Sequence, residues 1–85
     1  MWTMKIPVLR SDHLKPDTTV WLTSTDDMLV ATYDGGCFVF VGPSCENAPR
    51  DMVTVTDWAH EQGFEWLRFD AAGDTVEALP LYEWR

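Results

Sequence analysis

Asp57, His60 and Glu61 stand at i, i+3 and i+4, a spacing that gathers three side chains on one surface of a helix. Two carboxylates and an imidazole so placed would suit a partial metal site. With a thiol in reach, Cys45 in its polar loop, His60 would also supply the base for a nucleophile. The same three residues equally form the solvated side of an amphipathic helix whose apolar side holds Met52, Val55 and Ala59. The one other histidine, His13, is remote in sequence, and Cys37 and Cys45 lack both a CxxC spacing and a neighbouring His, which argues against zinc. No nucleophile elbow surrounds Cys45. "DAAGDTVE" (70–77) offers Asp70 and Asp74, but Ala72 stands at an intervening ligand position and Thr75 where a calcium loop needs Gly. "DGG" before Cys37 lacks the Lys and Ser/Thr of a phosphate loop. The expectation is a protein without catalytic, metal or cofactor-binding residues. The alternative is a small metal- or ligand-binding protein or enzyme centred on Asp57, His60 and Cys45, which requires those groups to converge in a pocket.

Charge bounds the partners. Fourteen acidic against six basic residues give a formal charge of −8. Direct contact with nucleic-acid phosphates depends on Lys and Arg to release counterions, and anionic membrane surfaces select the same residues, so neither partner is expected. From Asp51 onward eight acids face only Arg68 and Arg85. Such an excess either keeps a small protein soluble or presents an acidic face, Asp57, Glu61, Glu65, Asp70, Asp74 and Glu77, to a basic partner. No signal peptide is visible in "MWTMKIPVLR", and no apolar run approaches the ~20 residues of a membrane span. Two cysteines make no disulfide framework. A cytoplasmic protein is the expectation.

Length and composition then bound the elements. Eighty-five residues allow one domain, 1–85. A hydrophobic fraction of 46% with 13% aromatics excludes disorder. Five Trp are many for this length; they either fill a small core with large pieces or lie at an interface.

"MKIPVL" reads as a short extended segment, with Pro7 keeping it at an edge or ending it. In "SDHLKPD", Ser11 and Asp12 suit a single capped turn that Lys15-Pro16 stops. Thr18–Ser24 ("TTVWLTS") is β-branched and aromatic and suits a strand. Met28–Tyr33 and Cys37–Val41 flank Asp34-Gly35-Gly36 as a β-hairpin, with Asp26-Asp27 opening a turn before it and Cys37 a small buried hydrophobe. After the loop at 42–50, a helix fits Pro49 to Gln62. Pro opens it, Asp51 complements its dipole, and Gly63 supplies a left-handed stop. Met52, Val55, Thr56, Ala59 and Gln62 share one face. Phe64–Asp70 is apolar on both sides, as near the middle of a sheet. Thr75–Leu79 would return antiparallel beside it, and "LYEW" would close the domain as an edge strand with Tyr82 and Trp84 on one face. The order β-β-β-α-β-β predicts an α+β domain, one mostly antiparallel sheet with a single helix packed on one face.

Ala59, Gly63, Phe69, Asp70, Gly73, Leu79, Pro80, Tyr82 and Trp84 together follow the pattern A…G…(apolar)xFDxxG…LPx(F/Y)xW. This last third of the chain resembles a family of short bacterial proteins of unknown function carried on plasmids, prophages and integrative elements, and "SDHL" echoes that family's His-containing opening. The resemblance implies a stand-alone domain borne by mobile DNA. It implies a structural role for the aromatic signature Trp66, Phe69, Tyr82 and Trp84, and it transfers no activity.

With no catalytic constellation, many Trp and short sheet edges, the first functional expectation is a non-enzymatic protein-interaction module, with a homodimer as its self-associating form. The second is an inhibitor of host defence, of anti-CRISPR or DNA-mimic type, that occupies a basic channel with its acidic surface.

Overall fold

The computed structural model describes residues 3–26, 28–42 and 47–84. Where local chemistry is strongest, the expected elements form. Val30–Tyr33 (β2) and Gly36–Phe40 (β3) make the hairpin, with Tyr33 opposite Gly36 and Gly35 at φ 100° in its turn. Arg50–Gln62 is a helix (α2) that ends on Gly63 at φ 81°. Trp66–Asp70 (β4) follows, antiparallel to β3 and interior to the sheet. Val8–Arg10 (β1) lies parallel to β4 on its other side, with the Pro7 carbonyl accepting the Arg68 amide. The sheet order is β1-β4-β3-β2, two antiparallel pairs and one parallel. Ser11–His13 forms a single tight turn. It has no side-chain cap, because Asp12 bonds Arg10 instead. Fold class and mostly antiparallel sheet are as expected; the order of elements is not.

Pro16–Ser24 is a helix (α1), not a strand. Pro16 does not stop the preceding turn; it occupies the first turn of α1, where its fixed φ and missing N–H are harmless. Threonine is a poor helix former, yet Thr19 and Thr23 return their hydroxyls to the carbonyls of Pro16 and Val20. Thr18 and Leu22, four apart, are buried, and the Thr18 hydroxyl donates to Asp51 of α2 at 2.7 Å. Packing on one side overrides the β preference of the segment. The signal that would have revealed it is Lys15-Pro16-Asp17, an N-terminal helix start, with Thr18, Trp21 and Leu22 at i, i+3 and i+4.

The two strands expected after β4 do not form. Both sides of β4 are already taken, by β3 and β1, so Thr75–Leu79 has no vacant ladder beside it. Asp74 instead makes one parallel bridge to Leu9 on the outer side of β1. Beyond it the chain turns and runs back along residues 12–14. The Tyr82 amide donates to the Asp12 carbonyl at 2.8 Å, and the Trp84 Nε1 donates to the Leu14 carbonyl at 2.9 Å. The C-terminal segment is therefore docked, but as an irregular strap rather than an edge strand.

Buried His13 holds that strap. Its Nε2 receives the Val76 amide at 2.9 Å, so Nε2 must be the unprotonated nitrogen. Nδ1 then carries the proton and donates to the Pro80 carbonyl, also at 2.9 Å. Cross-strand partners share a face, so Leu9, Phe69, Cys37 and Thr32 point one way, as do Leu67, Val39 and Val30. That side meets Met52, Val55 and Ala59 of α2, Leu22 of α1 and Leu79 of the strap in one core. Thr56 is half-buried, and Gln62 is exposed. No described helix is long and apolar enough to cross a membrane.

Candidate functional site

Alternation places the remaining strand residues on the opposite face, which carries neither helix. Three cross-strand rows cover it: Trp66 with Phe40; Val8, Arg68, Phe38 and Ala31; and Arg10, Asp70, Gly36 and Tyr33. The third row is the unusual one. Gly36 has no side chain, and a Cβ there would come within 2.6 Å of the Tyr33 hydroxyl. The phenol lies across that gap. Its O–H donates to Asp70 Oδ2 at 2.7 Å, and it accepts from Arg68 Nε at 2.7 Å. Arg68 Nη2 closes the triangle on Asp70 Oδ2 at 3.2 Å.

These bonds fix a guanidinium above two aromatic rings. The Arg68 Cζ stands 5.1 Å from the Tyr33 centroid and 5.6 Å from that of Phe38, within cation–π range. Phe40 and Trp66 meet edge to face at 5.1 Å and 63°, a favoured arrangement for aromatic pairs. Phe40 is exposed; Trp66, Phe38 and Tyr33 are half-exposed. The Ala72 amide at 2.9 Å, then the Tyr33 hydroxyl, then Arg68 hold the Asp70 carboxyl below the ordinary carboxylate value. The centre of this face is thus internally neutral and aromatic, on a chain that is otherwise strongly acidic.

The residues singled out by helical spacing do not converge. Asp57, His60 and Glu61 are exposed on α2, and His60 Nε2 donates to the Gly42 carbonyl at 2.9 Å, tying the helix to the end of β3. Cys45 and Asp27 lie outside the described residues. Among the described residues no group of three or more His, Cys, Asp or Glu could hold a metal ion. Cys37 is half-buried, and burial pushes its thiol up.

The acids divide among separate segments. Asp57 and Glu61 lie on α2, Glu65 precedes β4, and Asp74 and Glu77 follow it, all exposed, whereas Asp70 is engaged with Tyr33 and Arg68. The aromatic signature divides as well. Phe69 is in the core, Trp66 is on the open face, Tyr82 lies under the Lys15 ammonium at 5.4 Å, and Trp84 is exposed. Tyr33, Phe38, Phe40 and Arg68 were not singled out as site residues from the sequence. The available signal was their alternation in the hairpin, which sets Phe38 and Phe40 on the side away from Val39.

A family model described as the C-terminal domain of a family of unknown function, DUF5983, matches residues 6–84. The chain belongs to that family. No curated protein and no solved structure matches it. The DUF5983 match begins just before β1 and ends on Trp84, so both the open sheet face and the His13-held strap fall inside the family's domain.

Proposed function

We propose that this domain is a non-enzymatic protein-interaction module, and that it grips its partner with the open sheet face. The carrying observation is the aromatic cluster of Tyr33, Phe38, Phe40 and Trp66 around a pre-oriented Arg68, on a face that neither helix covers. Trp, Tyr and Arg are the residues that most often dominate binding energy. Here their side chains are already held by one another, so less conformational entropy is lost on binding. Because Asp70 balances Arg68, the fitting partner offers a flat apolar surface with neutral hydrogen-bonding groups, rather than a strong charge. A module of this kind suits the plasmid and phage setting that the resemblance implies, and its place of action would be the cytoplasm.

The competing reading, an inhibitor that mimics nucleic acid, draws on the exposed acids Asp57, Glu61, Glu65, Asp74 and Glu77. Affinity capture from a bacterial lysate separates the two. We expect a protein held by the wild-type domain in moderate salt to be lost by the Phe40→Ala/Trp66→Ala pair. The same protein should be retained when Asp57, Glu61 and Asp74 are reversed to Lys. The opposite pattern would replace the open-face reading with the acidic one. Sedimentation at high concentration reports whether a second copy is the partner.

A further inference from the structure

On the helix-bearing side, at the hairpin-turn end of the sheet, a half-open cleft of about 440 Å³ separates α1 from β3 and the strap. We propose that it is a binding site for a small neutral molecule, mostly apolar, of about fifteen non-hydrogen atoms. The size follows from volume: at roughly 30 Å³ per water, the cleft holds on the order of fifteen waters. Leu14, Leu22 and Phe69, nearly fully buried, form the floor, and the exposed Trp84 supplies apolar wall, against which those waters would be poorly hydrogen-bonded and favourable to release.

Trp84 is the most informative wall residue. Its indole is 44% exposed, yet its only polar atom is spent on the Leu14 carbonyl. What it presents outward is apolar ring, already immobilised. The hydroxyls of Thr19 and Thr23 likewise donate into their own helix. Ser11 and Thr32 also line the cleft, and their hydroxyls make no hydrogen bond among the described residues. They give a ligand hydroxyls to address toward opposite edges of the sheet, Ser11 just after β1 and Thr32 on β2.

Charge sets the ligand class. Arg10 stands at the cleft, but its Nε and Nη2 form a bidentate pair with the Asp12 carboxylate. The pair is neutral, and the chain as a whole carries −8, so nothing draws an anion in. A cation would meet no unpaired carboxylate among the lining residues.

The test uses the full chain carrying Cys45→Ser, which leaves Cys37, a lining residue, as the one thiol. The probe is N-phenyl-1-naphthylamine, neutral and of about this size. Expected are saturable one-to-one fluorescence enhancement and slowed alkylation of Cys37 by iodoacetamide when the probe is bound. Thr23→Trp and Thr32→Trp, both at exposed lining positions, should each weaken binding at least tenfold. Circular dichroism confirms that each variant folds, and either one alone suffices. Phe40→Ala/Trp66→Ala should leave binding unchanged. The anionic analogue 8-anilinonaphthalene-1-sulfonate should bind at least tenfold more weakly. Absence of saturation, or indifference to both Trp variants, overturns the site. Equal binding of the anion overturns the ligand class. One probe per two chains, with a dimer in sedimentation, assigns the cleft to a second copy instead.

Discussion

The Asp51 carboxylate, in the first turn of α2, caps α1: its Oδ1 accepts the Thr18 hydroxyl at 2.7 Å while its Oδ2 accepts the Lys15 amide at 2.8 Å. Lys15 is the N-cap position of α1 and its own side chain caps nothing. One helix thus completes the other across 33 residues of sequence.

Asp51→Ala should therefore unravel the start of α1 rather than that of α2. One buried donor and one part-buried donor lose a charged acceptor, at a cost of ~2–4 kcal/mol. For a domain of this length total stability is on the order of 4–13 kcal/mol, so the loss is large. Asp51→Asn keeps one acceptor and should cost about half as much. Urea denaturation gives both values, and amide exchange should quicken through Thr19–Ser24 first.

His13 makes the second prediction. Nitrogen NMR should report its Nδ1 as the protonated, donating nitrogen and Nε2 as the acceptor. His13→Phe preserves an aromatic body but leaves the Val76 amide and Pro80 carbonyl without partners, costing ~2–4 kcal/mol. The Val76 and Tyr82 amides should then exchange fastest, as the strap lifts. Truncation before Leu79 removes a buried core residue and the bonds to Asp12 and Leu14. It should unfold the domain; a folded truncation would mean that the strap is dispensable.

Gly36→Ala tests the third row of the open face. The added Cβ would overlap the Phe69 carbonyl in the neighbouring strand and crowd the Tyr33 phenol. A cost of ~2–4 kcal/mol is expected, typical of overpacking against backbone. Adding Tyr33→Phe should not rescue it, because the Phe69 carbonyl remains in place. Thermal melts of the two variants decide the point.

The sheet face also sets an acid limb. Asp70 is held low by the Ala72 amide, then by Tyr33 and Arg68. Asp12 is held low by Arg10. A carboxylate depressed in the folded state contributes fully above its unfolded value, about 3.9, and that contribution is lost as pH falls through the lower folded value. Melting temperature should be level with respect to these groups above about pH 5 and drop below pH 4. Asp70→Asn should flatten part of that drop. An unchanged acid limb in the variant would assign the drop to other carboxylates.

How far the sequence reaches differs element by element. The hairpin and α2 are legible because their determinants are adjacent to them: Asp34-Gly35-Gly36 turns the chain, and Pro49 and Gly63 bound the helix. The opposite faces of β4 are legible from the alternation of Leu67 and Phe69 with Trp66, Arg68 and Asp70. α1 misleads because Thr18–Ser24 has strand composition, and the group that caps its first turn arrives from Asp51. The strap misleads because an alternating pattern reports a preference for extended chain, not the presence of a free partner strand.

By itself, then, the sequence determined the α+β class, the hairpin, the long helix, a docked rather than frayed end, and a net acidic charge. Each of these rests on nearest-neighbour chemistry or on simple summation along the chain. Only the tertiary structure decided that β1 occupies the second side of β4, that His13 ties the C-terminal strap, and that Gly36 lets Tyr33 reach Asp70 and Arg68. Those outcomes depend on groups 30 to 70 residues apart. Their pairing is set by which ladders and buried hydrogen-bond partners remain unfilled once the sheet has closed, a quantity no local window contains.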